Sequence, residues 1–353
     1  MISLILFILI LGTIILIHEF GHFIFSKMFG VYVYEYSIGM GKKIWSKRRK
    51  NDETEYSIRL LPVGGFCSLA GETGENTPNE KENIPEDKKL YKKSFIQRFL
   101  IFFMGPGFNF LLAFIVLYFI GLFIGGNITT LKVADLNKEY PAYIAGMRNG
   151  DTIREVNGEK VSTWTEARLR IMTADNKSSV KFKIEDKSGN IKNITVKPIK
   201  EKNEQGEYSY IYGISCKTYQ VKGFIGGFKY MYHESKDMFK SLFLTVKYLF
   251  VGKVGINDMT GPVGIYKVVD EQKTFGITNL LYLLAYLSIN VGVMNLIPFP
   301  AFDGGHILFL LIEKIIRKPV PSKIEGIITT IGFACLIVMM IYVTGHDIFN
   351  LVS

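Results

Sequence analysis

No side chain from Met1 to Ile17 carries a charge, and the apolar run resumes at Phe23, Ile24 and Phe25. A helix of 25 residues spans roughly 38 Å, enough to cross the hydrocarbon core of a bilayer. In hydrocarbon only a helix or a closed barrel satisfies its own backbone, so this stretch constrains the fold more than any other. Three further runs share its character: 99–124, 274–297 and 324–344. The second is interrupted by Gly105-Pro106-Gly107, and the third leads into a Pro/Gly-rich break from Pro298 to Gly305, followed by a short apolar helix ending near Glu313. The segment from Met238 to Val251 holds Lys240 and Lys247 and reads as amphipathic, suited to the membrane surface. The expected fold is a polytopic α-helical membrane protein with about four transmembrane helices. Residues 1–25 have no basic leader and no small-x-small cleavage site, so they are expected to be a retained span rather than a signal peptide.

The chain is 48% hydrophobic over 353 residues, room for two or three folded units. Its net charge of +10 would suggest nucleic acid in a soluble protein. Here the basic side chains flank the spans, which points to the lipid bilayer and to topology, with no nucleic-acid partner. Lys27, Lys42, Lys43, Lys47, Arg48, Arg49 and Lys50 follow the first span; Lys314, Arg317, Lys318 and Lys323 lie between the third and fourth. The positive-inside rule then puts these loops in the cytosol and both termini outside. Cys67, Cys216 and Cys335 are far apart, with no C-x-x-C spacing, and imply neither a disulfide framework nor a cysteine metal site.

Between the first two spans, residues 26–97 read as a membrane-associated β region and linker. Short strands are expected at Val31–Tyr34, Ile44–Trp45, Tyr56–Leu60 and Gly64–Phe66, with a mobile linker over 71–93. The second span occupies 98–126. Region 127–217 reads as one extracytoplasmic β-rich domain, with alternating strands at Leu131–Val133, Thr152–Val156, Val180–Ile184 and Ile194–Val196. Asn157-Gly158 marks a tight turn, and 165–172 suits a short helix. Residues 218–272 form the amphipathic segment, and 273–353 the third and fourth spans with the Asp-Gly-Gly break.

His18-Glu19-Phe20-Gly21-His22 lies inside the first span. H-E-x-x-H on a helix puts two imidazoles on one face at i and i+4, able to chelate one Zn²⁺, with the glutamate beside them as a base. Ionisable side chains at membrane depth are costly and mark function by default. A catalytic zinc needs a third protein ligand. The other histidines are His233, His306 and His346. Asp303 lies in the broken segment at the cytosolic end of the third span, and topology brings it to the depth of His18 and His22. Asp303 is either a cap for a helix starting at Gly304 or a ligand, and the motif across the bundle favours the ligand.

These residues resemble the intramembrane zinc metalloproteases of the site-2 protease type (peptidase family M50), closest to the bacterial regulator-of-sigma-E protease branch. His18-Glu19-Phe20-Gly21-His22 is similar to the family's H-E-x-G-H, and Asn295 to Gly305 resembles its N-L-x-P-x-P-x-L-D-G-G segment. The stretch from Phe102 to Asn109 resembles a G-P-x-x-N element, and Gly261-Pro262-Val263-Gly264-Ile265 a G-P-V-G-I element. Tyr140-Pro141-Ala142 through Val156-Asn157-Gly158 looks like the start of a PDZ domain. The chain departs in carrying Phe302 before the aspartate, where leucine is usual, and in having room for one PDZ-like domain rather than two.

The resemblance implies one Zn²⁺ per chain held by His18, His22 and Asp303, with Glu19 as the catalytic base and Asn295 as a candidate substrate contact. His306 is expected to lie behind the ligands, and Asn290 and Asn109 to make interhelical contacts. It implies an enzyme of the bacterial cytoplasmic (inner) membrane that cuts single-span proteins near the cytosolic side, such as an anti-sigma factor or remnant signal peptides. The extended substrate would add to a sheet edge at Tyr56–Leu60 or Gly64–Ser68. The alternative is a non-catalytic membrane adaptor working through its PDZ-like domain. A zinc transporter would need further intramembrane ligands, and few are present.

Overall fold

The computed structural model describes residues 2–50, 52–72, 84–174, 179–202, 208–255 and 259–352. The chain begins with α1 (Ile2–Met28), β1 (Val33–Arg48), β2 (Glu55–Leu69) and α2 (Phe95–Phe119). It continues through β3 (Gly126–Val133), α3 (Pro141–Ile144), β4 (Thr152–Val156), β5 (Glu159–Lys160), α4 (Trp164–Met172), β6 (Val180–Glu185) and β7 (Ile191–Val196). Then come β8 (Ile199–Lys202), β9 (Tyr208–Ile211), β10 (Cys216–Val221) and α5 (Gly223–Phe250). The last helices are α6 (Pro262–Gln272), α7 (Ile277–Leu296), α8 (Asp303–Ile316) and α9 (Ser322–Val352). These elements form two units, Met1–Val116 with Met259–Ser353, and Leu117–Asp258.

Four helical stretches are long and apolar enough to cross a membrane: Ile2–Met28, Phe95–Ile124, Ile277–Leu296 and Ser322–Phe349. They coincide with the four runs read from the sequence and make the chain a multi-pass membrane protein. Ile331, Phe333, Val338 and Ile341 of α9 are exposed, a liability in water and an ordinary lipid-facing surface in a bilayer. The expected interruption at Gly105-Pro106-Gly107 is absent, because α2 runs straight through Pro106. The proline costs one rung of the helix ladder, and tertiary packing of α2 offsets it.

In the first unit, Ile10 and Ile14 of α1 pack with Val269 of α6 and Leu280 and Leu283 of α7. Ser3 is hydrogen-bonded to Asp270, and Lys273 donates to Ser3 Oγ at 2.5 Å, clipping the start of α1 to the end of α6. Asp347 Oδ2 accepts the Gly264 backbone N–H at 2.9 Å and so ties α9 to the first turn of α6. At the other end of α1, Val31, Val33, Leu69, Leu90, Ile101, Phe102 and Leu310 close a second core.

The short strands expected over 31–66 merge into two long, bulged strands. Residues Glu35–Ile38 of β1 pair with both Gly65–Ser68 and Glu55–Ile58 of β2, and Glu55–Arg59 pairs again with Lys43–Arg48. Folding of the hairpin on itself thus lays four strand segments side by side, with three ladders of pairing between them. Tyr56–Ile58 is paired on both sides and offers no free edge, whereas Gly65–Leu69 pairs with β1 on one side only. Buried Glu35 holds the fold together: Arg59 Nη2 reaches its Oε1 at 2.8 Å, and Ser57 also donates to it. Of the expected linker 71–93, residues 73–83 lie outside the described residues. The rest is ordered rather than mobile: Leu90 is 3% exposed, and its N–H donates to Ala70 O at 2.7 Å.

The second unit is built on a six-stranded sheet of order β10-β3-β4-β6-β7, with β5 paired to β4. Its core is Met147, Ile153, Val180, Phe182, Ile184 and Val196, covered by Ala167 and Ile171 of α4. Thr163 caps α4 by accepting the Glu166 N–H at 3.2 Å, and the Glu166 carboxylate accepts the Ser162 N–H at 2.9 Å. Asn157 and Gly158 both take positive φ, as their tight turn requires. Strands β4 and β6 and helix α4 stand where the alternation put them. The unit extends past residue 217, because β10 returns to pair with β3; the exposed β8–β9 hairpin and the one-turn α3 have no apolar period to announce them. Helix α5 starts at Gly223, well before the amphipathic stretch read from the sequence. Phe182→Ala should cost about 3–5 kcal/mol by leaving a cavity in a closed core. Limited proteolysis of the full-length protein should then cut selectively within 117–258; unchanged resistance would mean that this core does not hold the unit.

Candidate metal centre

Helix α1 carries His18 and His22 one turn apart, both buried at 8% and 9% exposure. Their Nε2 atoms face each other at 3.2 Å. Asp303 Oδ2 lies 3.1 Å from His18 Nε2 and Oδ1 lies 3.4 Å from His22 Nε2. The three donor atoms all lie within 4.8 Å of one another, and among the described residues this is the one such group of three. Asp303 Oδ2 is buried without a hydrogen-bond partner. Two ring nitrogens and a carboxylate oxygen this close together can hold a cation between them. Two imidazoles and a carboxylate are a donor set suited to zinc. His233 and His346 lie outside this cluster.

Helix α8 begins at Asp303, with Phe302 as its N-cap residue and no side-chain cap bond. The aspartate is therefore the first helical residue rather than the cap, and its carboxylate is left to face the histidines. The break before it satisfies its own backbone: Phe302 N–H donates to Phe299 O at 3.0 Å and Gly305 N–H to Phe302 O at 2.9 Å. Such internal pairing is what membrane depth demands of irregular backbone.

The imidazoles are oriented from behind. His22 Nδ1–H donates to the Ile101 carbonyl of α2 at 2.8 Å, which leaves Nε2 with its lone pair free. Asn109 of α2 meets His18 Nδ1 at 3.2 Å, and Ser288 of α7 donates to the Asn109 carbonyl at 2.9 Å. Asn109 Oδ1 has no partner as placed. Turning the amide over gives that buried oxygen the His18 Nδ1–H and frees His18 Nε2 for a metal, so this is the orientation the chemistry requires. Asn109 is interhelical, as the sequence suggested; Asn290 is not, since its amide donates to Tyr286 O of its own helix at 2.7 Å.

Close approach of α1 and α2 depends on missing side chains. A Cβ on Gly21 would lie 2.1 Å from Met104 O, and one on Gly105 would lie 2.3 Å from His22 Nε2. Beside the cluster opens a cavity of about 290 Å³ lined by Glu19, Phe66, Cys67, Phe102, Asn295 and His306 among others. Glu19 is half-buried and lines this cavity beside Phe66 and Cys67 of β2. Asn295 thus reaches the same cavity as the H-E-x-x-H residues. Sequence reasoning missed Ile101 and Ser288, because an apolar residue and a small hydroxyl carry no metal-site signal of their own.

Residues 6–339 match the family model for peptidase family M50. A protein of Clostridium acetobutylicum named as a candidate zinc metalloprotease is 35% identical over 347 residues, covering 98% of this chain and 97% of the relative. A Clostridium perfringens protein of the same description is 36% identical over 339 residues, with 96% of each covered. An Enterococcus faecalis protein carrying the name of the protease eep is 31% identical over 429 residues, with 98% of each covered.

Proposed function

The chain belongs to peptidase family M50 and is a zinc metalloprotease of the site-2 type, and on that premise we propose that His18, His22 and Asp303 hold the zinc while Glu19 moves the proton. The observation that carries the reading is the convergence of three donor atoms with an orphaned carboxylate oxygen among them. Zinc in this position supplies Lewis acidity, acidifying a water and polarising the scissile carbonyl. Glu19 lines the same cavity, takes the water's proton and returns it to the leaving amine. Phe66, Cys67, Leu69, Phe102 and Phe302 line the same cavity beside Glu19.

The substrate on this reading is a single-span membrane protein, of the kind represented by an anti-sigma factor or a remnant signal peptide. A spanning helix hides its peptide bonds in its own ladder, so the segment to be cut must first be extended. The Gly65–Leu69 edge of β2 is the strand to which it would add, since Phe66, Cys67 and Leu69 line the cavity beside Glu19. Asn295 is the side chain assigned to the substrate backbone. The β-rich unit acts as a PDZ-like domain outside the membrane, both termini are extracytoplasmic, and the active site lies toward the cytosolic side of the bacterial inner membrane. Support for that orientation comes from the basic residues flanking the β1–β2 hairpin and the α8–α9 turn.

Metal analysis tests the site directly. Purified detergent-solubilised protein is expected to hold about one zinc per chain, and Asp303→Ala sharply less. Zinc that is indifferent to Asp303→Ala would remove Asp303 from the site.

A further inference from the structure

Glu325 is an ionisable residue in the first turn of the fourth spanning helix, and it is 7% exposed. A buried carboxylate at such a place needs a reason. Its Oε1 lies 3.2 Å from Nδ1 of His306, which projects from α8 one turn beyond Asp303. The His306 ring lies flat on Phe102 of α2, with centroids 4.8 Å apart and planes 7° from parallel. Phe102 is 5% exposed, and the residue before it, Ile101, is fully buried and presents the carbonyl that takes His22 Nδ1–H at 2.8 Å. A single line of contacts therefore runs from α9 through α8 to the backbone group that sets the ring plane of His22.

We propose that Glu325 and His306 are positioning residues for the metal centre: Glu325 pins the His306 ring, the ring braces Phe102, and the braced Ile101 carbonyl holds His22 in its ligating orientation. The inference rests on the reading of His18, His22 and Asp303 as zinc ligands. His306 and Glu325 do not themselves touch the metal. The role follows from rigidity. A histidine ligand whose second nitrogen is held by a fixed carbonyl loses little freedom on binding, and outer partners of this kind change metal affinity by about 10–100-fold. A parallel stack constrains a ring only if the upper ring is itself fixed, and Nδ1 of His306 is where that fixing is applied. The buried glutamate is thereby explained by geometry: an acceptor is needed on α9 at the height of His306.

The test is zinc affinity of the full-length protein in detergent, measured by competition with a chromogenic chelator. Glu325→Leu and His306→Ala are each expected to weaken zinc binding by about tenfold or more. Glu325→Gln keeps an acceptor for His306 Nδ1–H and should bind within about threefold of wild type. Asp303→Ala is run beside them to test the ligand reading separately. If Asp303→Ala loses zinc while Glu325→Leu and His306→Ala hold it as tightly as wild type, the positioning inference is wrong and the ligand reading stands. If Asp303→Ala also keeps its zinc, the ligand reading fails, and the inference with it. A Glu325→Gln protein as weak as Glu325→Leu would assign the effect to charge and overturn the geometric role. Should Glu325→Leu fail to fold, the contrast between His306→Ala and Glu325→Gln still decides.

Discussion

Glu19→Gln is expected to abolish cleavage and leave zinc content unchanged. Glutamine has the shape of glutamate and fits the same place in the cavity, beside Phe66 and Cys67. It cannot take a proton from water at neutral pH, and removing a positioned base costs about 10²–10⁴-fold in rate. The metal should be indifferent, because the three clustered donor atoms belong to His18, His22 and Asp303 and not to Glu19. The measurement is cleavage of a single-span substrate in detergent or liposomes, with zinc quantified in the same preparation. Retained cleavage would remove Glu19 from its role. Loss of cleavage together with zinc would show instead that Glu19 helps to build the centre. An adaptor working through the β-rich unit would be untouched by this change, so the same experiment separates the two functional classes.

How much of this was readable beforehand depends on which interactions leave a local trace. Long apolar runs specify spanning helices because nearly every residue in them must tolerate lipid by itself, and all four were legible to within a few residues of their ends. H-E-x-x-H was legible because its i, i+4 spacing is a property of one helix. Asp303 was legible as a candidate through topology and through the resemblance of its Asp-Gly-Gly segment, not through any local spacing to the histidines. Its helix-capping alternative fell when Phe302 proved to be the N-cap residue. The β1–β2 hairpin was misread as separate short strands, since strand alternation reports a buried face and says nothing of which strand a segment pairs with. That pairing is what put Tyr56–Ile58 in the interior and left Gly65–Leu69 at the edge. The supports of the site were illegible for the same reason: Ile101 contributes a backbone carbonyl, and Gly105 contributes the absence of a side chain.

Gly105→Ala is the substitution in which that absence becomes measurable. In an ordinary helix interior, glycine to alanine is stabilising by about 1 kcal/mol. At position 105 the opposite outcome is expected, because the added Cβ would lie 2.3 Å from His22 Nε2, 2.5 Å from His22 Cε1 and 3.0 Å from His18 Cε1. Withdrawal of α2 from α1 would mean breaking the contact of Gly21 with the Met104 carbonyl, where even the present spacing admits no Cβ. It would also carry the Ile101 carbonyl away from His22. The imidazoles must therefore turn, and a turned His22 no longer presents Nε2 to His18 and Asp303. The expected protein inserts in the membrane, keeps its helices and holds little zinc. Gly107→Ala is the matched control two residues along the same helix: its Cβ would meet Met104 Sδ at 3.2 Å, the end of a flexible side chain that can move aside. Zinc per chain and cleavage rate should fall together in Gly105→Ala and stay close to wild type in Gly107→Ala. Equal zinc in the two variants would show that α1 and α2 have more room between them than their packing implies, and that the imidazoles do not depend on a bare backbone at residue 105.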